Sequence, residues 1–256
     1  MEYFDVLKYV DAGANFYLRV IGDAEHMEIL DNGVFETMRS RGDLNNFCSI
    51  YNIRLDQLSD EEMSRVIQEI GDKRIHTWWP IYTSERVLDA LNGKGARGTF
   101  DDGEVYAAML PKDKPEYPHT SDSIEIKRVS SLAEFATWCS IDNTWEHDGM
   151  IAVHPQNHYH LIANGKLRCY LGYVDNIAIT TTAILNNDKI ASLEFTATRP
   201  EYRQQGCAKA VCQYALDDAF ANGIRVVSIR AIGHARELAK SLGFDTVVLF
   251  PLAKPA

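Results

Sequence analysis

The spacing of apolar side chains predicts an N-terminal part in which helices and strands alternate. Apolar residues recur at helical intervals from Tyr3 to Val20, although Gly13 weakens the pattern. Asp31-Asn-Gly33 lies between two short apolar runs and predicts a β-hairpin. Ser59 and Glu62 form a capping box that opens a second helix. The remaining predicted elements of this part are a strand over 74–82, a helix over 84–91 and a strand over 104–110.

The C-terminal part shows a clearer pattern of alternating and helical apolar positions. Strands are predicted over 123–129, 167–174, 176–185, 189–198, 225–231 and 246–251, and helices over 131–138, 155–164, 207–221 and 234–242. The helix over 207–221 is amphipathic, and Asn222-Gly223 ends it. The order β-α-α-β-β-β-α-β-α-β indicates the α/β (α+β) class.

A proline-rich stretch separates the two parts. Pro111, Pro115 and Pro118 stand among charged residues, and such a stretch cannot continue a helix or a central strand. We therefore predict a smaller α/β unit over 1–112, a linker over 113–122 and a second domain over 123–256. No internal repeat is evident at the level of single residues.

Composition and charge narrow the function classes. A chain of 256 residues can bury a large core in one or two domains. No apolar run approaches the roughly 20 residues that span a bilayer, and the acidic, mixed N-terminus does not resemble a signal peptide. The formal net charge of -10 argues against binding a nucleic-acid backbone and favours cationic small molecules or basic protein tails.

The cysteines and histidines give little indication of a metal site or disulfides. The five cysteines are scattered without a C-x-x-C pair, which argues against a disulfide framework and a zinc site and favours a reducing cytoplasm. Half of the eight histidines lie between Glu146 and His160. Pro155 is well placed to start a helix there, which leaves His154 outside it, so no metal is predicted. This stretch lines a substrate pocket or is an ordinary surface helix; both remain open.

The chemistry is concentrated in the turn Arg203-Gln-Gln-Gly-Cys-Ala208, between a strand and the amphipathic helix. The first amides of a helix have no intrahelical partner and the helix dipole is positive there, so this turn can hold an anion. Gly206 and Ala208 let a phosphate approach the backbone, and Arg203 adds a positive charge. The turn is neither a P-loop nor a G-x-G-x-x-G fingerprint. The residues alone leave a phosphate-bearing ligand and a plain connection equally open.

The run from Thr198 to Ala208 resembles the acetyl-CoA-binding motif of the GNAT superfamily of N-acetyltransferases, Pro-x-Tyr followed by (Gln/Arg)-x-x-Gly-x-(Gly/Ala). Leu242-Gly-Phe244 is similar to the ending of the family's last helix, and the element order over the C-terminal half agrees. The resemblance implies a GNAT-type mixed central sheet flanked by helices. The N-terminal unit resembles a degenerate acetyltransferase-like half-domain, which would support one side of the acceptor site.

The resemblance also assigns residues. It implies that Thr196, Ala197 and Thr198 pair with the pantetheine arm of acetyl-CoA. By the same resemblance, the amides of Gln204, Gln205, Gly206, Cys207 and Ala208 would hold the pyrophosphate, with the charge of Arg203 at the rim. The strand that begins near Arg225 would splay away and leave a notch for the thioester. Glu194 is the candidate catalytic base, predicted by alternation to share a face with Thr196 and Thr198; a plain solvent-facing carboxylate is the alternative. Ala239 stands where the family often has a proton-donating tyrosine.

These observations predict an acetyl-CoA-dependent N-acetyltransferase that transfers the acetyl group directly to a primary amine. The acceptor is a small molecule or a peptide. The absence of a tyrosine at Ala239 leaves a second hypothesis, a non-catalytic acyl-CoA-binding or regulatory module. A third is an interaction scaffold without any nucleotide-type ligand. The sequence does not predict the oligomeric state.

Overall fold

The fold was taken from a computed structural model, which describes residues 3–25, 27–41, 48–72, 76–93, 104–117, 124–142, 155–244 and 248–250. The helices are α1 (Tyr3–Gly22), α2 (Asp60–Asp72), α3 (Glu85–Gly93), α4 (Leu132–Asp142), α5 (Pro155–Ala163), α6 (Cys207–Ala221) and α7 (Ala235–Ser241). The strands are β1 (Met27–Asp31), β2 (Glu36–Ser40), β3 (Cys48–Tyr51), β4 (His76–Thr77), β5 (Glu104–Met109), β6 (Glu125–Arg128), β7 (Leu167–Val174), β8 (Ile177–Asn187), β9 (Ile190–Thr198), β10 (Val226–Ala231) and β11 (Val248–Phe250). In the described part of the chain, no helix has the length and apolar character to cross a bilayer.

The strands form two mixed sheets. The smaller sheet has the order β1-β2-β3-β4, and the larger one has the order β11-β5-β10-β9-β8-β7-β6. Each contains one parallel pair, β3 with β4 and β9 with β10, while the other registered neighbours are antiparallel. This is the predicted mixed α/β architecture.

The chain repeats one order of elements. In the N-terminal half, α1 precedes β1, β2 and β3, a 3-10 turn over 55–57 leads into α2, and β4, α3 and β5 follow. In the C-terminal half, α5 precedes β7, β8 and β9, a 3-10 turn over 200–202 leads into α6, and β10, α7 and β11 follow. The two halves therefore share one order of helices and strands, which we call the repeated framework, although the sequence shows no repeat.

Strand β5 lies in the larger sheet, and not with the N-terminal unit to which the sequence assigned it. It pairs antiparallel with β10, from Met109 opposite Val227 to Val105 opposite Ala231, and with β11 on its other side. The apolar pattern of a strand shows that it is half-buried, but it carries no information about which sheet accepts it. The last strand of the N-terminal half thus completes the sheet of the C-terminal half.

The local signals were mostly confirmed. Helix α6 has the predicted bounds, and the hairpin of β1 and β2 turns where the Gly33 amide donates to Asp31 Oδ1 at 2.8 Å. The strand predicted over 74–82 was wrong in length, since β4 ends at Thr77. The Trp78 amide still donates to the Ile50 carbonyl, but Pro80 has no N–H to extend the pairing.

Helices cover both faces of the larger sheet. One face packs against α6 and α7, as in the cluster that joins Val211 and Leu242 to Leu193 and Val227. The other face packs against α4 and α5, and α1 lies beside them over β9, β10 and β5. Helix α1 also packs against β1 and β2, where its Leu18 joins a second core. A single helix is therefore shared between the two sheets.

Gly13 of α1 lies at a close approach of this helix to the larger sheet. A Cβ atom at this position would lie 2.7 Å from Ser228 Oγ and 3.2 Å from Ser192 Cβ. Both contacts are shorter than carbon atoms normally tolerate, so the residue that weakens the helical pattern is required by the packing.

Replacing Gly13 by Ala is expected to lower the free energy of unfolding by about 1–3 kcal/mol, because the added methyl group overpacks the helix against β10. Gly71→Ala in α2 is the matched control, since a Cβ atom there meets nothing within 4 Å. That variant should be neutral or more stable by up to about 1 kcal/mol. Urea unfolding of both variants measures the difference, and equal stabilities would contradict the close approach of α1.

Candidate active site

Strands β9 and β10 diverge in the middle of the larger sheet. Their parallel register runs from Ile190 opposite Val226 to Ser192 opposite Ser228, and β9 then continues to Thr198 without β10 as a registered neighbour. We call the space between residues 193–198 and 229–231 the notch. The predicted splay of these strands is therefore present, and Gly13 of α1 lies at its closed end.

A bulge interrupts β9 beside the notch. Glu194 pairs with Ala183 and Ala197 pairs with Thr181, so that Phe195 and Thr196 together face the single residue between them on β8. Phe195 has φ 55°, in the left-handed region that non-glycine residues rarely adopt. Bulges of this kind redirect side chains and are frequent near functional sites.

The bulge places Glu194 on the face opposite to the one that alternation predicts. The Thr196 hydroxyl lies 3.5 Å from Cys212 Sγ of α6, and regular alternation puts Thr198 on the same side. Glu194 instead approaches Arg230, whose guanidinium lies on the side of α1. The prediction of one shared face was wrong, because it assumed a strand without an extra residue.

Glu194 belongs to a compact group that we call the Arg230 cluster, made of Tyr17, Trp78, Glu194, Phe195 and Arg230. A guanidinium nitrogen of Arg230 lies 3.7 Å from Glu194 Oε1, and these side chains are only 9% and 10% exposed, respectively. The guanidinium carbon lies 5.1 Å from the centre of the Tyr17 ring and 4.7 Å from that of Trp78. The Tyr17 and Phe195 rings are 5.3 Å apart. Trp78, predicted to pack in a core or interface, joins the two halves.

Burial dominates the electrostatics around Tyr17. The pKa of its phenol is raised, first by burial and then by the Glu194 carboxylate, while Arg230 acts in the opposite direction and Asp142 adds a smaller rise. Tyr17 is therefore a neutral donor at physiological pH. Burial alone raises the pKa of Asp142, at the end of α4, to about 7.

The predicted pyrophosphate turn is exposed and has an uncapped helix start. Gly206, the N-cap of α6, has φ 83° and provides no side-chain cap, and the first turn of α6 contains no acidic residue. Gln204 also has a left-handed φ of 61°, and a conformation of this kind turns backbone amides toward a shared anion. The space around the Gly206 Cα is open, and Arg203 Nε donates to the Thr198 carbonyl at 3.1 Å. Cys207 and Ala208 begin the helix.

The equivalent turn of the N-terminal half has the opposite chemistry. Ser59 and Glu62 cap α2 with reciprocal bonds, Ser59 N to Glu62 Oε2 at 2.9 Å and Glu62 N to Ser59 Oγ at 3.3 Å. Asp60, Glu61 and Glu62 fill the first turn with negative charge. These side chains satisfy the amides and repel an anion.

Beyond β3 and β4 lies a small cavity of about 200 Å³, and two polar side chains of α1 line it. Asp11 Oδ1 accepts from the Ile81 amide at 2.7 Å, and Asn15 Oδ1 accepts from the Asn52 amide at 3.0 Å. Both acceptors belong to α1, one turn apart. They bind two backbone amides at the edge of this cavity. Of the two repeated frameworks, the C-terminal one has the accessible anion site.

Sequence reasoning missed three residues of the site. Arg230 is a charged residue within the apolar run of β10, which was the available signal. Tyr17 gave none, because α1 is apolar on several sides, and Asp142 gave none, because its burial depends on tertiary packing. Ala239 is buried in the core beside α6. Glu146, His147 and His154 lie outside the described residues; among those described, no three His, Cys, Asp or Glu side chains are arranged to hold a metal ion.

Residues 129–244 match the model of the Acetyltransferase (GNAT) family. This part of the chain is therefore a GNAT acetyltransferase domain. The family's members are acetyltransferases, which supports acyl transfer as the class of reaction. No curated protein matches the sequence.

The fold of the whole chain is similar to that of several solved structures. A GCN5-related N-acetyltransferase from Kribbella flavida aligns with a TM-score of 0.62 at 15% identity, covering 96% of this chain and 95% of that chain. A tandem GNAT protein from the clavulanic acid biosynthesis pathway aligns with a TM-score of 0.59 at 9% identity, covering 98% and 96%. The similarity to the second structure agrees with the repeated framework and supports two GNAT-like halves.

Asp142→Asn is expected to change the pH dependence of stability. In the folded chain Asp142 stays protonated up to about pH 7, whereas the unfolded chain loses this proton near the ordinary value of 3.8. The stability of the wild type therefore falls as pH rises from 4 to 7, and the variant lacks this loss. Three pH units correspond to at most about 4 kcal/mol. Urea unfolding at pH 5 and pH 8 measures the difference in stability between wild type and variant, with Asp89→Asn at an exposed position of α3 as control. A difference that does not depend on pH would contradict this burial effect.

Proposed function

We propose that the protein is an acetyl-CoA-dependent N-acetyltransferase that transfers an acetyl group directly to a primary amine. The carrying observation is that the uncapped, exposed start of α6 lies in the same half of the chain as the end of β9 that has no registered neighbour on the β10 side. In the other half, which has the same order of elements, the start of α2 is capped and acidic. An anion site and a gap between parallel strands are what a ligand with a pyrophosphate and an extended arm requires.

The residues present fit coenzyme A. The amides from Gln204 to Ala208 would hold the pyrophosphate, and the exposed Arg203 would add its charge at the rim. The backbone of Thr196, Ala197 and Thr198 would pair with the pantetheine arm, since this part of β9 has no registered neighbour on the notch side. Bound acetyl-CoA supplies an activated acyl group as a thioester.

Glu194, on β9 two residues beyond its register with β10, is the proposed catalytic carboxylate. An amine must be neutral to attack a thioester, so a base or a water chain must accept its proton. Glu194 follows the paired part of β9 by two residues and is 10% exposed, which leaves limited room for solvent. We assign it the role of proton acceptor, directly or through water.

The acceptor is proposed to be a cationic small molecule or a lysine-bearing peptide. The net charge of -10 attracts such molecules and lowers the affinity for anionic ones. A second candidate function is a non-catalytic acyl-CoA-binding module. The buried Ala239 favours it, because this position offers no hydroxyl group to protonate a departing thiolate.

Coenzyme A at millimolar concentration is expected to raise the melting temperature, and Gly206→Glu to abolish that rise. A ligand at 100 times its Kd stabilises a protein by about 2.7 kcal/mol. The glutamate would place a negative charge in the anion site and a side chain at φ 83°. Gly223→Glu is the matched control, with the same charge and φ 86° at the other end of α6. No shift with coenzyme A or acetyl-CoA in the wild type would refute this function.

Glu194→Gln is expected to slow acetyl transfer about tenfold or more, a loss of about 1.4 kcal/mol of barrier lowering. Thiol release from acetyl-CoA with spermidine, kanamycin and an oligolysine peptide measures the rate. Glu125→Gln, an exposed strand carboxylate on β6, is the control and should retain full activity. Coenzyme A binding without transfer to any of these amines would favour the non-catalytic module.

A further inference from the structure

Arg230 is a buried charge whose surroundings come from both halves of the chain. It lies on β10 between Ile229 and Ala231, which are buried in the core of the C-terminal half. Its guanidinium packs against Tyr17 of α1 and against Trp78, which follows β4. Both aromatic residues belong to the N-terminal half.

Two interactions hold the guanidinium in this position. A planar guanidinium is attracted to the face of an aromatic ring, and the attraction is stronger when water is excluded. At 9% exposure it also needs an anionic neighbour, and Glu194 Oε1 lies 3.7 Å away. The aromatic rings therefore determine where the guanidinium lies, and its positive charge favours the ionised form of the Glu194 carboxyl group.

Other ionisable groups near this pair do not replace Arg230. Tyr17 of α1 is neutral, and Asp142 of α4 is a carboxyl group that would oppose a second negative charge. Arg230 of β10 is a cation 3.7 Å from the Glu194 carboxylate. A cation at this distance favours the ionised form of a carboxyl group.

We propose that Arg230 is a positioning residue through which the N-terminal half, by means of Tyr17 and Trp78, keeps Glu194 ionised and oriented toward the notch. This inference rests on the proposed function only for its catalytic consequence. It gives the half without an accessible anion site a direct role in the active site of the other half. Arg230 itself does not contact the reacting atoms.

The charge effect can be measured without any substrate. In the full chain labelled with [δ-13C]glutamate, the carboxyl signal that disappears in Glu194→Gln reports the titration of this residue. Arg230→Met is expected to raise its titration midpoint by at least one pH unit relative to wild type. Arg230→Lys keeps the charge and should restore most of the difference. Trp78→Leu should raise the midpoint by a smaller amount, because the guanidinium is no longer held.

Lys114→Met is the matched control for these variants. Lys114 also stacks on an aromatic ring, 4.4 Å from the centre of Tyr117, and pairs with Asp217 at 2.6 Å, but it belongs to the predicted linker and contacts α6. This variant should leave the Glu194 midpoint unchanged. Circular dichroism and urea unfolding establish whether each variant is folded. If Arg230→Met does not fold, the Glu194 midpoints of Arg230→Lys and Trp78→Leu test the inference.

The pH dependence of acetyl transfer provides a second test. The acidic limb of the pH–rate profile for acetyl transfer to spermidine should move to higher pH in Arg230→Met, while the thermal shift produced by coenzyme A stays the same. An unchanged Glu194 midpoint in Arg230→Met and Trp78→Leu overturns the inference, whatever the activity. A raised midpoint in a chain that neither binds coenzyme A nor transfers acetyl groups supports the role of Arg230 and rejects the proposed function.

Discussion

The packing of α1 between the two sheets is the constraint on which the rest of the structure depends. Helix α1 has 20 residues and spans about 30 Å, and it contacts strands of both sheets. It is apolar on several sides because each side faces a different core, and such a helix is stable only when buried. Gly13 brings it against Ser192 and Ser228, where β9 and β10 separate. One turn later Tyr17 reaches Phe195 and Arg230. The position of one helix thus places an aromatic ring beside the notch.

Strand β5 is a second link between the two halves. It ends the N-terminal half but forms hydrogen-bonded ladders with β10 and β11, so the larger sheet is completed by a strand that precedes the proline-rich stretch. An exposed β10 edge would present unpaired amides and carbonyls, and β5 satisfies them. Because β10 also carries Arg230, the N-terminal half contacts the same strand in two ways: at its edge through β5 and on its face through α1. The two halves therefore complete one sheet together, while α2 and α3 cover a separate core within the N-terminal half.

The two halves show how one framework can hold two chemistries. Both lead from a strand through a 3-10 turn into a helix, but four residues separate the turn from α6, whereas two separate it from α2. The longer connection places Gly206 at the start of α6 with its amides open. The shorter one places Ser59 there, with a capping box and three carboxylates. Local side chains at a helix start, more than the fold, decide whether an anion is accepted.

The features that the sequence predicted are those that local chemistry determines. Helix α6, the capping box of α2, the hairpin at Gly33 and the glycine-bearing turn are all encoded within a few residues, and the structure has them. The partner of β5 and the face of Glu194 are not encoded in this way. A strand's pattern does not name its neighbour, and a bulge at Phe195 depends on the register with β8.

The Arg230 cluster illustrates why an active site is harder to predict than the fold around it. Tyr17, Trp78, Glu194 and Arg230 are spread over more than 200 residues and four elements or their flanks, and none forms a motif with another. What joins them is energetic: a buried guanidinium requires a carboxylate and gains from aromatic faces, so these residue types are stable in this position only together. Arginine within an apolar strand is therefore an informative sequence signal, because a charge at such a position must find its partners in distant parts of the chain. Applied to β10, this criterion identifies Arg230 in advance and leaves its partners to be found from the packing of α1.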